Sequence, residues 1–160
     1  METKLNFIEK IVSGAQTGVD RAALDVAMKL GIAHGGWVPK NRLAEDGEID
    51  NKYNVKETNT SDYAHRTIQN IINSDATLIL SKGKISGGSA YTLFKAKEHK
   101  KPVLWLKINK NQDRAIVKIC QWLNENKPKI LNLAGPRESK EPGIYDVSFD
   151  FLIRLFSNNF

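Results

Sequence analysis

Ser13-Gly14-Ala15-Gln16-Thr17-Gly18-Val19-Asp20-Arg21 follows a short apolar run at Ile11-Val12 and opens a periodic segment that ends near Leu30. A glycine-rich turn joining a strand to a helix is the local plan of an α/β unit. Glycines let the backbone turn sharply and approach a ligand, and the free N–H groups at the start of a helix favour an anion. The spacing fits neither of two familiar phosphate-binding motifs. Gly14 and Gly18 are four apart, which is not the dinucleotide pattern, and no lysine follows Gly18 as the P-loop requires. The polar side chains within the turn still suit a ligand: Gln16 and Thr17 donate and accept hydrogen bonds, Asp20 accepts from ribose or ring N–H groups, and Arg21 offers a planar fork to phosphate.

Outward from this turn, Val19, Ala22, Ala23, Val26, Ala27 and Leu30 recur at three and four residues, the stripe of a core-facing helix that Gly31 ends. Ile32 to Val38 reads as a strand interrupted by Gly35 and Gly36, and Pro39 terminates it. The segment from Lys40 to Ser61 is polar and aperiodic, too long for a passive connector, and reads as a binding loop or a disordered one. Ser61 or Asp62 then caps a helix with Ala64, Ile68, Ile71 and Ile72 on one face, and Ala76 to Ser81 is a buried parallel strand. A second strand, glycine turn and helix follow at Lys82 to about Lys100, with Gly87-Gly88-Ser89 at the turn. Pro102 to Lys107 is a strand, and the next helix presents Ile116, Ile119, Cys120 and Leu123. Ile130 to Ala134 is the fifth strand, Gly135 follows it, and a last helix from about Ile144 presents Phe151, Leu152, Leu155 and Phe156. Five strands alternating with helices predict a three-layer Rossmann-like α/β fold, a mostly parallel sheet with helices on both faces. In such sheets ligands lie outside the carboxyl ends of the strands, where all three glycine turns fall.

The chain of 160 residues, 18.0 kDa, suits one domain spanning 1–160 with a core that needs no disulfide. No apolar stretch approaches the roughly 20 residues of a membrane helix. Met1 to Phe7 lacks the apolar core of a signal peptide and Cys120 is the lone cysteine, so the expected compartment is cytoplasmic. The net charge of +6 is uneven: residues 1–80 hold nine Lys/Arg against eleven Asp/Glu, and 81–160 hold fifteen against seven. Lys95, Lys97, Lys100 and Lys101 follow one helix and read first as a solvated face, with a polyanion-binding surface as the alternative. His34, His65 and His99 are scattered and Cys120 lies on an apolar stripe, so no protein-ligated metal is expected.

Four blocks in fixed order carry a family resemblance: Ser13 to Leu24; Ala44-Glu45-Asp46-Gly47 with Tyr53 and Glu57; Ser74 to Leu80 with Ser86-Gly87-Gly88-Ser89; and Leu131 to Ser139. Together they resemble the molybdenum carrier family, a circularly permuted branch of the Rossmann-like superfamily that includes the lysine-decarboxylase-like proteins. The family pattern expects glycine where Ala15 stands and threonine where Ser89 stands. The resemblance implies a homo-oligomer, dimer or tetramer, binding a phosphorylated small molecule, with molybdenum cofactor as a candidate ligand whose metal arrives on the pterin's own sulfurs. Carried over by residue, Gly14, Gln16, Thr17, Gly18 and Arg21 line one side of the ligand, and Gly87, Gly88, Ser89 and Thr92 cradle phosphate. Gly135, Arg137 and Ser139 close a third side, and Arg42, Glu45 and Asp46 clamp the polar edge of the ring.

The superfamily also admits a nucleoside-monophosphate glycosidic-bond hydrolase. That chemistry needs a carboxylate facing the ribose, for which Glu45, Asp46 and Asp20 are the candidates. For a third class, single-stranded nucleic-acid binding, the aromatic interleaving is poor, because Trp105 and Trp122 fall in apolar patterns. The sequence therefore favours a carrier of a phosphorylated pterin or nucleotide over a catalyst.

Overall fold

The computed structural model describes residues 4–109 and 112–157. Residues 1–3 of the N-terminal stretch read above lie outside it. Five parallel strands form the sheet: β1 (Lys10–Val12), β2 (Ala33–Gly35), β3 (Ala76–Ser81), β4 (Val103–Lys107) and β5 (Ile130–Ala134), in the order β2-β1-β5-β3-β4. Ile11 pairs with Leu131 and Leu78 with Leu133, so the last strand in sequence is the middle strand in space.

The helices are α1 (Val19–Leu30), α2 (Tyr63–Ile72), α3 (Gly87–Glu98), α4 (Gln112–Asn126) and α5 (Ile144–Ser157). Their placement follows from crossover handedness. The steps from β1 to β2 and from β4 to β5 run one way across the sheet, and those from β2 to β3 and from β3 to β4 run the other way. Right-handed crossovers then put α1 and α4 on one face and α2 and α3 on the other. The burial agrees: Leu78, Leu80, Leu131 and Leu133 share a core with residues of α1, α4 and α5, including Val26, Ile119, Leu123, Phe151 and Phe156. The alternate residues Thr77, Ser81 and Asn132 are buried and polar. Asn132 donates to Thr77 Oγ1 at 3.2 Å, and Trp105 Nε1 donates to Ser81 Oγ at 2.9 Å. The side that receives α2 and α3 is therefore the polar one.

Helix α1 buries Val19, Ala22, Ala23, Val26 and Ala27 completely, and Gly31 closes it in the left-handed region at φ 70°. Helix α2 differs from its expected stripe. Its buried residues are Thr67, Asn70 and Ile71, and Ile72 is left exposed, because the helix turns its polar stripe inward. Asn70 binds both backbone groups of Trp37, accepting from N at 2.7 Å and donating to O at 2.9 Å. Asp62, not Ser61, caps this helix, accepting from the Ala64 N–H at 2.9 Å. Helix α3 ends at Glu98, two residues short of the expected end.

The strand expected over Ile32 to Val38 breaks at Gly36. Its φ is +129°, and a Cβ there would lie 2.1 Å from the Ser13 carbonyl oxygen. The chain leaves the sheet, and Trp37–Val38 pairs instead with Lys56–Glu57. The Lys40–Ser61 segment is ordered, with a short antiparallel ladder of Leu43–Ala44 on Gly47–Glu48. Ile49, Tyr53, Ala44 and Val38 pack with Ala15 and Leu24 in a second small core that ties this loop to the first turn and to α1. Burying two large side chains such as Ile49 and Tyr53 contributes about 1.5–3 kcal/mol each. Ile49→Ala should therefore cost about 2–4 kcal/mol in denaturant unfolding and make the 40–61 loop the first segment cut by protease. A loss below half a kcal/mol would mean that the small core does not hold the loop.

Candidate ligand-binding site

The carboxyl ends of β1, β3 and β5 meet where the chain leaves toward opposite faces of the sheet, and packing there is close enough to require glycine. A Cβ at Gly18, whose φ is +80°, would lie 2.3 Å from the Pro136 carbonyl oxygen; one at Gly135 would lie 2.3 Å from that of Leu80. Ala15 takes φ +55°, a left-handed conformation that glycine adopts at less cost. This explains the glycine that the family pattern places at that position.

A cavity of about 660 Å³ opens on this rim. Its walls include Gln16, Asp20, Gly87, Gly88, Ser89, Thr92, Gly135 and Arg137 from the sequence-derived set. Gly14 lies beneath the Arg66 guanidinium. Ser89 and Thr92 are buried, and the Thr92 hydroxyl donates back to the Gly88 carbonyl at 2.9 Å. Ser86 makes no side-chain cap, so the first N–H groups of α3 face the cavity without a side-chain acceptor.

Several cavity residues were not singled out from the sequence: Tyr63, Arg66 and Thr67 of α2, together with Lys84, Tyr91 and Lys140. Arg66 Nη1 donates to Thr67 Oγ1 at 2.8 Å, and its Nε is buried without a hydrogen-bond partner. The Arg66 and Arg137 guanidinium carbons lie 5.5 and 5.8 Å from the Tyr63 ring centroid. A signal existed, since Tyr63, Arg66, Thr67 and Asn70 fall at helical positions i, i+3, i+4 and i+7. That polar stripe was masked by the isoleucines beside it.

The remaining predicted residues stand apart from this cavity. Glu45 reaches from the 40–61 loop to the first and last turns. It accepts from the Thr17 hydroxyl, from Ser139 Oγ at 2.5 Å and from Ser139 N at 3.2 Å. Its backbone N–H donates to Gln16 Oε1 at 2.9 Å. Burial raises the Glu45 pKa, but the Ser139 and Thr17 hydrogen bonds outweigh it and hold the carboxyl below its usual range. Asp46 accepts both arms of Arg21 at 2.9 and 3.1 Å, which lowers its pKa. Arg42 donates to the carbonyls of Ile49, Asp50 and Tyr53 within its own loop. Thr17, Gly18 and Arg21 border a smaller cavity of about 320 Å³ in which Asp25 accepts from the hydroxyls of Tyr53 at 2.6 Å and Tyr145 at 2.5 Å.

Of the three candidate carboxylates, Asp20 alone lines the larger cavity. Burial pushes its pKa up to about 6, against the opposing charges of Arg66 and Arg21 and the N–H groups of Gln16 and Gly14. A carboxyl whose pKa is raised on folding binds its proton more tightly in the native state. Stability from this group is therefore fully present below pH 4 and falls as pH rises to about 6. Relative to Asp20→Asn, the wild type should lose on the order of 3 kcal/mol between pH 4 and pH 7 in urea unfolding. Parallel pH profiles for the two proteins would show Asp20 to be solvated.

Among the described residues no group of three or more His, Cys, Asp or Glu side chains is placed to hold a metal ion. No helix among them is long and apolar enough to cross a membrane. Lys95 pairs with Glu98 at 2.8 Å and Lys101 donates to the Ser74 carbonyl at 3.0 Å, while Lys97 and Lys100 are exposed.

The sequence model of the circularly permutated YpsA SLOG family matches residues 11–156. Among solved structures the chain is similar to the "putative molybdenum carrier protein" of Syntrophus aciditrophicus SB. The two are 47% identical over 93% of this chain and 94% of that one, with a TM-score of 0.90. Comparison with curated proteins finds no match. Matched in sequence along nearly its whole length and in fold to that relative, the chain belongs to the circularly permutated YpsA SLOG family.

Proposed function

We propose that the protein is a carrier that binds a phosphorylated pterin or nucleotide in the 660 Å³ cavity, with molybdenum cofactor as the pterin candidate. The observation that carries this reading is the meeting of four cationic side chains, Arg66, Lys84, Arg137 and Lys140, with the uncapped start of α3. A helix N-terminus and arginine forks both favour phosphate. The four cations outnumber the two carboxylates on the walls, Asp20 and Glu141, and Glu141 is occupied by the N–H groups of Lys82 at 2.8 Å and Gly83 at 3.1 Å. The walls are thus positive where a phosphate would lie. Tyr63 and Tyr91 add ring surface for a heterocycle.

The lining fits molybdenum cofactor as cargo in one respect. It offers cations for the phosphate and no Cys or His, so the metal would remain on the sulfurs of the pterin. The name of the Syntrophus relative supports the same ligand. Native mass spectrometry of gently purified protein tests the reading, because a copurified phosphorylated compound would appear as a defined mass increment on each chain and would report the oligomer too. Arg137→Ala should weaken binding of that compound about tenfold, or 1.4 kcal/mol. Unchanged affinity would remove Arg137 from the site.

Asp20 supports a second reading, hydrolysis of a nucleoside monophosphate at its glycosidic bond. Of the candidate carboxylates Asp20, Glu45 and Asp46, it is the one on the cavity wall, and a pKa near 6 suits proton transfer at neutral pH. On this reading, purified protein releases free base from a nucleoside monophosphate and Asp20→Asn abolishes the release. Ligand binding without base release would leave the carrier alone.

A further inference from the structure

Gly14, the first glycine of the turn after β1, makes room for a cation. A Cβ built on it would lie 2.6 Å from Cζ of Arg66 and 2.7 Å from its Nε and Nη1. The guanidinium carried by α2 therefore rests where any other residue would place its side chain. Two further contacts hold it there. Nη1 donates to Thr67 Oγ1 at 2.8 Å, with Thr67 itself donating to the Tyr63 carbonyl at 3.0 Å, and the guanidinium carbon lies 5.5 Å from the Tyr63 ring centroid. A guanidinium fixed in this way has little side-chain freedom left to lose when an anion binds.

The same arrangement leaves Arg66 short of acceptors. Its Nε is buried with no hydrogen-bond partner, a costly state for a charged donor. Burial is the largest influence on Arg66 and works against its cation; Asp20 and Tyr63 favour the cation electrostatically, and the like charge of Arg137 opposes it. Among the described residues no carboxylate lies within 4 Å of Arg66, so Asp20 acts on it without an ion-pair contact. The Arg137 guanidinium carbon is 5.8 Å from the same Tyr63 ring, and both arginines line the 660 Å³ cavity. An anion within reach of both relieves their repulsion. We infer that Arg66 is the residue that recognises the anionic group of the ligand, sharing it with Arg137, and that Gly14 is a positioning residue acting through Arg66. The group that fits is a tetrahedral oxyanion such as a phosphate monoester, which accepts from a planar fork and from a second cation at once. The assignment rests on the reading above that the cavity binds a phosphorylated ligand.

Inorganic phosphate, titrated against the full chain and followed by phosphorus NMR, tests the assignment whatever heterocycle the ligand carries. Gly14 does not have a positive φ, and a Cβ there meets the end of a flexible side chain, so Gly14→Ala keeps the backbone and displaces the guanidinium. Arg66→Lys keeps the charge that Asp20 senses and removes the planar fork. Each substitution should weaken phosphate binding at least about tenfold. Because Gly14→Ala acts through Arg66, the double variant should bind no more weakly than Arg66→Lys alone, whereas a role for Gly14 in backbone packing would make the two losses add. Additive losses would overturn the role of Gly14. Wild-type affinity in Arg66→Lys would overturn the assignment of Arg66 and leave the carrier reading standing. Absence of phosphate binding to the wild type would also overturn the assignment, and the native mass spectrum would then decide the carrier reading separately.

Discussion

Backbone contact between the turns that follow β1 and β5 is the constraint on which the rest of the molecule depends. Gly18 meets the Pro136 carbonyl, Gly135 meets the Leu80 carbonyl and the Val19 side chain, and Gly36 meets Ser13. These approaches are possible only without a Cβ, and they bring the ends of three central strands together on one rim. The start of α1 is fixed by the same contacts, since Val19 N reaches the Pro136 carbonyl at 3.4 Å. Placing β5 between β1 and β3 makes this rim a structural junction.

The 40–61 loop is fastened to that junction by polar and apolar means together. Glu45 binds Thr17 and Ser139, from the first and last turns. Ile49 and Tyr53 supply an apolar anchor against Leu24 and Ala15. The carboxylate and the small core together give the loop one position, and Arg42 reinforces it by satisfying three carbonyls. The acidic residues of this loop are thereby spent on structure: Glu45 on its two turns and Asp46 on Arg21. Around the larger cavity Arg137 also reaches Glu45 at 3.9 Å, yet Arg66, Lys84, Arg137 and Lys140 outnumber the carboxylates on its walls, Asp20 and Glu141.

Much of the fold was legible because its cues are local. The α1 stripe from Val19 to Leu30, the αL glycine at 31 and the uniformly buried Ala76–Ser81 strand each follow from a few consecutive residues. The errors arose where a distant contact overrode the local pattern. Gly36 bends the second strand away because Ser13 crowds it, and α2 turns Thr67 and Asn70 inward, where Asn70 satisfies the Trp37 backbone N–H and carbonyl. The candidate site was legible in its glycines and in Arg137. Arg66 and Lys140 were not, since nothing near them in sequence distinguishes them from solvated charges.

The sequence by itself determined the alternation of strands and helices, the three glycine turns and their common edge, because hydrophobic period and glycine's backbone freedom act over a few residues. Only the tertiary structure decided which polar groups share a cavity. It set Arg66 over Gly14 and Lys140 over Gly87, turned Glu45 and Asp46 to structural pairing, and left Asp20, of the three candidate carboxylates, on the cavity wall. These choices depend on strand order, and strand order is fixed by long-range packing rather than by any local run of residues.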